Sequence, residues 1–314
     1  MPNQTLTAVP GILVGHATDA AKGTGCTAVL CPKGCTPGLY VPGFAPGSRE
    51  TELLRPESTV DAVHGILLSG GSAFGLAAAE GVVRFLRERG HGFTMPHGVI
   101  PLVPGAVIYD LDGNRAPGVL PDAAMGYAAA SAADSAPVPR GGVGAGTGAR
   151  CGRMFAMGNG PDRSEKSGLG SAIAQYKGLM AAALVVVNAL GNVHDPDTGR
   201  FLAGGRDRAG APLPPEAVLT ALAGEEFPST NTVLAVVATN APLDKVQCSR
   251  FTRMAGAGIA RSLRPAHLLY DGDIVFGLAS RHPLPRDTAP WTESLIGALG
   301  AEAVARATAD AVSP

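Results

Sequence analysis

The sequence has no excess of charge of either sign, since 25 lysine and arginine residues stand against 26 aspartate and glutamate residues. No long run of like charge occurs, so a surface for nucleic acid or for an anionic membrane is not expected. No window approaches about 18 uninterrupted apolar residues, and the N-terminus lacks a basic stretch followed by an apolar one. We therefore expect a soluble, cytoplasmic protein whose partners are a small molecule and further copies of itself.

Cysteine is scarce and odd in number, which argues against a disulfide framework. The five cysteines are Cys26, Cys31, Cys35, Cys151 and Cys248. Only His16 lies near the first three, and their spacing is not that of paired metal-binding cysteines. Free thiols in a reducing compartment are the expectation, with no metal site.

Apolar residues make up 46% of the chain and form many short segments. The segments that resemble strands are residues 11–19, 24–32, 66–68, 100–111, 178–191, 232–240 and 271–280. Helical periodicity covers residues 73–89, 121–134, 243–263 and 292–312. Interleaved strands and helices predict a layered α/β protein, and no linker is long enough to demand a second domain. Residues 1–314 are therefore expected to form a single domain.

A change of composition precedes one of the strands. From Gly204 to Asn231 the chain is rich in polar residues, proline and glycine, with one helical stretch at residues 215–222. This pattern predicts a surface linker. It leads directly into the apolar segment that begins at Thr232. Hydroxyl residues at such a junction are usually caps or turn residues, so Thr232 alone indicates no function.

Two carboxylates change the interpretation of Thr232. Asp271 and Asp273 begin another apolar segment, and residues two apart on a strand point to the same face. A threonine hydroxyl is a weak nucleophile until a neighbour takes its proton, and a carboxylate pair can provide this help. Repulsion between like charges raises the pKa of at least one carboxyl group, so one can hold a proton while the other orients the hydroxyl. Asp-Gly-Asp is also ordinary turn chemistry.

An N-terminal nucleophile would also need a free amine, which the full chain holds in the bond between Asn231 and Thr232. The Thr232 hydroxyl would first attack the Asn231 carbonyl and form an ester that water resolves. The products would be residues 1–231 and residues 232–314. The new amine, with a reference pKa of about 7.7, could then act as a general base near neutral pH.

Other polar residues could complete such a site. Asn188 ends an apolar strand and could donate to an oxyanion, although asparagine is often a turn residue there. Gly70 and Gly71 precede a helix and could supply main-chain N–H donors, or form a plain tight turn. Arg153, a cation of the glycine-rich middle, is a further catalytic candidate. Secondary candidates are Lys166, the other cation of that segment, and His267, which could orient a carboxylate. Such residues more often have surface or structural roles.

A series of segments, in a fixed order, carries a resemblance to a known family. They are VPGILVGHATD, APGSRETELL, GILLSGGSAFGLAAAEGV, VPGAVIYDL, PDAAMGYAAA, GGVGAGTGA, LVVVNALG, NTVLAVVATNA and RPAHLLYDGDIVFGLAS. The chain resembles the DmpA-type peptidases over nearly its whole length. That family includes L-aminopeptidase/D-esterases, β-peptidyl aminopeptidases and nylon-oligomer hydrolases, and this chain is most similar to the threonine branch that contains the last of these.

The resemblance implies a layered αββα sandwich, of the kind also found in ornithine acetyltransferase, and self-cleavage between Asn231 and Thr232. It implies tetramers of cleaved pairs and neither a metal nor an organic cofactor. On this match Asp271 and Asp273 carry the acid–base and orienting roles, and Asn188 helps to hold the oxyanion.

The chain departs from the threonine branch at Arg153, where that branch carries a lysine. Arginine cannot exchange a proton at neutral pH, so Arg153 could only position groups or stabilise charge. Lys166 could substitute for the missing lysine.

The implied activity is hydrolysis of amide bonds in short peptides or ω-amino acid oligomers through an acyl-threonine intermediate. Aminopeptidase or D-esterase specificity, acyl transfer to an amine, and a non-catalytic relative with an intact chain stay open as alternatives. An acidic group awaiting a substrate ammonium would favour an aminopeptidase, but the sequence does not locate the pocket.

Overall fold

The computed structural model describes residues 2–111, 119–155, 163–224 and 231–313. The strands are β1 (Leu13–Asp19), β2 (Thr24–Tyr40), β3 (Ser48–Arg49), β4 (Val63–Ser69), β5 (Phe93–Met95), β6 (Gly98–Ile100), β7 (Gly105–Val107), β8 (Arg150–Cys151), β9 (Glu165–Lys166), β10 (Leu169–Tyr176), β11 (Leu179–Asn188), β12 (Asn192–His194), β13 (Phe201–Ala203), β14 (Thr232–Thr239), β15 (Leu263–Arg264) and β16 (Ile274–Ser280). The helices are α1 (Ala78–Glu88), α2 (Ala123–Ser131), α3 (Pro215–Gly224), α4 (Lys245–Ser262) and α5 (Glu293–Asp310).

One long strand connects the two halves of a nine-stranded sheet. The strand order is β10-β11-β14-β16-β2-β4-β7-β3, and β1 also pairs with β2. Residues 26–30 of β2 pair with β4, residues 36–40 pair with β16, and Cys35 pairs with both. The register of β2 against β4 shifts between Leu30 and Cys35. Such irregularities bend a strand, and the bend allows the two halves of the sheet to stack as two layers.

Buried apolar residues fill the space between these layers and beneath two pairs of helices. Leu68 of β4 packs in the central cluster with Leu184 of β11 and Val236 of β14. The neighbouring residue Leu67 points the other way and packs with α1 and α2. Val185 points away from the centre and packs with α4 and α5. The period of two along each strand thus gives a helix–sheet–sheet–helix order, and the predicted αββα sandwich is confirmed.

Two strand predictions differ from the structure. The segment at residues 100–111 was expected to be one strand, but only Gly105–Val107 pairs with the central sheet. Pro101 and Pro104 precede this short strand, and proline cannot donate a ladder hydrogen bond. Strand β2 continues to Tyr40, beyond its predicted end, because its second half pairs with a strand far away in sequence.

The cysteines belong to the packed interior of the molecule. All five are buried free thiols. Burial raises the pKa of the Cys151 thiol to about 12, so this group is uncharged at neutral pH. In the described ranges, no helix is long and apolar enough to cross a membrane.

Candidate active site

Three adjacent strands bring the candidate residues together. β14 lies between β11, to which it is antiparallel, and β16, to which it is parallel. The antiparallel register places Asn188, the last residue of β11, opposite Thr232, the first residue of β14. The chain before β16 continues the parallel pairing, with a bridge between Asn231 and Asp271. The predicted cleavage site, Asn188 and the two aspartates therefore lie at the same end of the three strands β11, β14 and β16.

The peptide carbonyl before Thr232 is held by two donors. Thr232 is only 6% exposed, and its Oγ1 donates a hydrogen bond to the main-chain oxygen of Asn231 at 2.6 Å. The main-chain N–H of Gly272 donates to the same oxygen at 2.8 Å. A fixed N–H group directed at a carbonyl oxygen stabilises the negative charge that develops there during nucleophilic attack. The arrangement thus polarises the bond that self-cleavage would break.

Gly272 was not among the residues predicted from the sequence. It lies between the two aspartates, and a Cβ atom at this position would come within 2.7 Å of Thr232 Oγ1 and 2.6 Å of the Ala45 oxygen. Real Cβ atoms do not approach other atoms this closely. The glycine of the Asp-Gly-Asp segment is therefore required for the hydroxyl to sit beside the main chain.

Gly272→Ala should slow self-cleavage and hydrolysis by at least about tenfold, because the added methyl group displaces Thr232 Oγ1 and misplacement of reacting groups is costly. The measurement is the rate of both reactions in the purified variant. Gly142→Ala is a suitable control, since its Cβ would meet only the Lys166 side chain at 3.8 Å. Equal rates in the two variants would contradict the steric argument.

Both aspartates are almost fully buried and strongly hydrogen-bonded. Asp271 Oδ2 accepts from the Leu268 N–H at 2.8 Å. Asp273 Oδ1 accepts from the Val233 N–H at 2.7 Å, and its Oδ2 lies 2.7 Å from His267 Nδ1. The expected contact between His267 and a carboxylate is thus present in the structure. The aspartates lie just before β16, which begins at Ile274, so loop geometry rather than strand alternation positions them.

The two carboxyl groups are close enough to influence each other. Burial, together with the charge of Asp273, raises the pKa of Asp271 to about 7. Near neutral pH, Asp271 can therefore be present in both its protonated and its ionised form. This matches the expectation that one carboxyl group of the pair retains a proton.

The raised pKa of Asp271 should make the folded protein less stable as the pH rises. Between about pH 4 and pH 7 the folded chain holds this proton while the unfolded chain has released it. The free energy of unfolding therefore falls over this window by at most about 1.4 kcal/mol per pH unit from this group. Urea unfolding at pH 5 and pH 7.5, at equal protein concentration, should show a smaller difference for Asp271→Asn than for the unsubstituted protein. The same difference in both proteins would contradict this prediction.

Arg153 lies inside the site, although its sequence context suggested a surface residue. It is 3% exposed, and its Nε donates to Asn231 Oδ1 at 2.9 Å. Its Nη1 donates to Asn188 Oδ1 at 3.3 Å. The amide nitrogen of Asn188 donates to the Tyr109 carbonyl at 2.8 Å. Arg153 and Asn188 thus form a connected polar group beside the Asn231–Thr232 bond.

The remaining candidates are Lys166, Gly70 and Gly71. Their described hydrogen bonds are made to residues other than Thr232, Asn231 and the two aspartates. Lys166 donates through Nζ to the Thr147 carbonyl and pairs across strands with Arg150. Burial lowers its pKa, as does the nearby positive charge of Arg150. The N–H groups of Gly70 and Gly71 donate to the Gly25 carbonyl and to Asp110 Oδ1, respectively. An oxyanion role for these two glycines, which stays a prediction, would require them to leave these acceptors.

A cavity of about 570 Å³ lies beside the small sheet of β12, β13 and β15, and its lining does not include Thr232, Asp271 or Asp273. Its lining includes Asn192, Phe201, Leu213, Leu219, Arg264 and Pro265. Pro265 is two residues before His267, and Asn192 pairs with Arg264 in the small sheet. The volume is in the range of small-molecule pockets.

Two solved structures share this fold. The L-aminopeptidase D-Ala-esterase/amidase from Ochrobactrum anthropi, described as a variant of the Ntn hydrolase fold, superposes with a TM-score of 0.70 at 19% identity, covering 99% of this chain and 86% of that chain. A Burkholderia sp. beta-aminopeptidase superposes with a TM-score of 0.66 at 24% identity, covering 99% of this chain and 87% of that chain. This chain thus has the same layered αββα fold as these two structures.

The model of peptidase family S58 matches residues 4–314, and the chain belongs to this family. An uncharacterized aminopeptidase of Mycobacterium tuberculosis is 39% identical over 328 residues, covering 96% of this chain and 92% of the relative. A 6-aminohexanoate-oligomer endohydrolase of Kocuria sp. is 30% identical over 276 residues, covering 86% of this chain and 73% of the relative. The resemblance inferred from the sequence is confirmed, and the protein is a hydrolase of peptide or amide bonds.

Proposed function

We propose that the chain processes itself between Asn231 and Thr232 and that Thr232 then acts as an N-terminal nucleophile on amide substrates. The observation that carries this proposal is the pair of hydrogen bonds on the Asn231 carbonyl oxygen, from Thr232 Oγ1 and from the Gly272 N–H. The nucleophile lies against the bond it attacks, and a main-chain donor is directed at the oxygen that becomes negative.

In self-cleavage, the Thr232 oxygen bonds to the Asn231 carbonyl carbon as its proton passes to a neighbouring base. Collapse of the tetrahedral intermediate breaks the C–N bond, and the departing nitrogen takes up a proton. The resulting ester is hydrolysed by water, giving a carboxylate on Asn231 and a free amine on Thr232. Asp271 and Asp273 supply the acid–base and orienting groups, and Asp271 is suited to proton exchange because its pKa is about 7.

Hydrolysis of a substrate repeats these steps with a different acyl group. The α-amino group of Thr232 now serves as the general base, the substrate carbonyl forms an ester with Thr232, and the amine part of the substrate leaves after protonation. Water then releases the acid product. The Gly272 N–H holds the oxyanion, and the permanent charge of Arg153 beside the Asn231 side chain stabilises negative charge without transferring a proton. An additional oxyanion role for Asn188 would require its Nδ2 to leave the Tyr109 carbonyl.

The substrates we propose are short peptides or ω-amino acid oligomers. Relatives named as aminopeptidases and as 6-aminohexanoate-oligomer endohydrolases support both classes. Aminopeptidase or D-esterase specificity is the second candidate, and the Ochrobactrum structure favours it.

The activity is tested by incubating the purified protein with aminoacyl p-nitroanilides and, separately, with linear 6-aminohexanoate trimer. Release of nitroaniline or of new primary amines is expected from the unsubstituted protein and not from Thr232→Ala prepared in parallel. An equal release from both preparations, or none from either, would refute the proposal.

An acyltransferase would use the same acyl-threonine intermediate but pass the acyl group to an amine. Added glycinamide separates the two activities, because a hydrolase yields mainly the free acid and a transferase mainly the acylated amine.

We further propose that the protein is cytoplasmic and forms a homo-oligomer, a tetramer of cleaved pairs. Light scattering would measure the mass of this assembly.

A further inference from the structure

The side chain of Asn231 lies in a buried polar pocket beside the scissile bond. Asn231 is 2% exposed, and its Oδ1 accepts the 2.9 Å hydrogen bond from Arg153 Nε. Arg153 also bonds Asn188 Oδ1. We call the space bounded by Arg153 and Asn188, which contains the Asn231 side chain, the acyl-side pocket.

The side-chain oxygen and nitrogen of Asn231 have different hydrogen-bonding environments in this pocket. The oxygen has a charged donor, whereas Nδ2 is buried without a hydrogen-bond partner among the described residues. Exchanging the two ends of the amide does not help, because Nδ2 would then face the N–H of Arg153 Nε. The pocket therefore favours a side chain that accepts hydrogen bonds and has no N–H of its own.

Self-cleavage and substrate hydrolysis use the same nucleophile. In the uncut chain, the carbonyl attacked is that of Asn231, with its oxygen on the Gly272 N–H. The acyl carbonyl of a substrate must reach Thr232 Oγ1 in the same direction and place its oxygen on the same donor. The side chain next to that carbonyl then enters the acyl-side pocket.

We propose that Arg153 is a specificity-determining residue that selects acyl residues with a short side chain ending in a carboxylate or an amide. The inference rests on the proposed function of Thr232. Aspartyl substrates are preferred to asparaginyl ones, because a carboxylate forms a charge-assisted hydrogen bond with the guanidinium and brings no unpaired N–H. Leucyl substrates, similar in size, leave the buried guanidinium without this acceptor and are disfavoured.

Self-cleavage provides a first test that needs no added substrate. Asn231→Asp should cleave itself at the rate of the unsubstituted chain or up to about threefold faster. Asn231→Leu should cleave at least about tenfold more slowly, because it has the size of asparagine but no acceptor. The rates come from intact-mass spectra recorded over time after purification. A leucine variant that cleaves as fast as the aspartate variant would overturn the proposed selectivity.

Hydrolysis of aspartyl, asparaginyl, leucyl and alanyl p-nitroanilides by the cleaved enzyme provides the second test. We expect kcat/KM for the aspartyl substrate to exceed that for the leucyl substrate at least tenfold. Arg153→Lys should reduce this ratio, since lysine keeps the charge but not the guanidinium geometry. Equal hydrolysis of the aspartyl and leucyl substrates would overturn this inference and leave the proposed function intact. If the cleaved enzyme hydrolyses none of the anilides and no aminohexanoate oligomer, the proposed function fails, and the self-cleavage rates decide the preference of the pocket.

Discussion

Thr232→Ala is expected to remain one full-length chain and to show no hydrolysis above background. The substitution removes the only hydroxyl that hydrogen-bonds to the Asn231 carbonyl oxygen among the described residues. Loss of a covalent nucleophile typically reduces the rate by about 10⁴-fold or more, because the remaining groups have no bond to form. Intact mass and anilide hydrolysis measure the two reactions separately.

Thr232→Ser is the matched control, since serine retains the hydroxyl and removes only a methyl group. It should cleave itself and hydrolyse substrate, although more slowly if the methyl group helps to orient Oγ1. The side chain is almost fully buried, so either change is expected to cost stability. A Thr232→Ala protein that still yields two fragments cut before residue 232 would remove the nucleophile assignment.

Asp273→Asn is expected to slow self-cleavage and hydrolysis by about 10² to 10³-fold without unfolding the protein. Asp273 accepts from the main-chain N–H groups of Val233, the residue after Thr232, and of His267. An asparagine has the same shape but only one accepting oxygen, so one of these donors loses its partner. The negative charge beside Thr232 is lost as well, and both changes weaken activation of the hydroxyl.

The matched control for this variant is Asp287→Asn, which makes the same chemical change at an exposed position. The control should retain full rates, and both variants should give circular dichroism spectra of the folded protein. A stability loss of about 1–3 kcal/mol is expected for Asp273→Asn, because a buried donor is left unpaired. Unchanged kinetics in this variant would refute the role given to the carboxylate.

Local patterns predicted the layers of the fold and several residues of the site. The interleaved strands and helices predicted a layered α/β protein, whereas the αββα order was implied by the family resemblance. In the structure, the two faces of each strand, such as those of Leu67 and Leu68, account for this order. Thr232 alone indicated no function, and it became a candidate only together with the carboxylates Asp271 and Asp273 at the start of another apolar segment. Parallel pairing of β14 with β16 then explains why these two segment starts are neighbours.

Contacts between segments that are distant in the chain could not be predicted from the sequence. Arg153 and Asn231 are 78 residues apart, and nothing in either local pattern indicates their hydrogen bond. Gly272 had an ordinary turn interpretation, and only the approach of Thr232 Oγ1 and of the Ala45 carbonyl reveals why a side chain is excluded. The sequence predicts a shorter β2 than the structure contains. The second half of this strand is defined by pairing with β16, and its own composition does not indicate a strand.

The intact mass of the purified, denatured protein tests the central claim most directly. Self-processing predicts two components whose masses match residues 1–231 and residues 232–314. The pair should appear without added protease and should be absent from Thr232→Ala. A single full-length mass that persists through prolonged incubation at neutral pH would contradict the threonine nucleophile and the mechanism built on it.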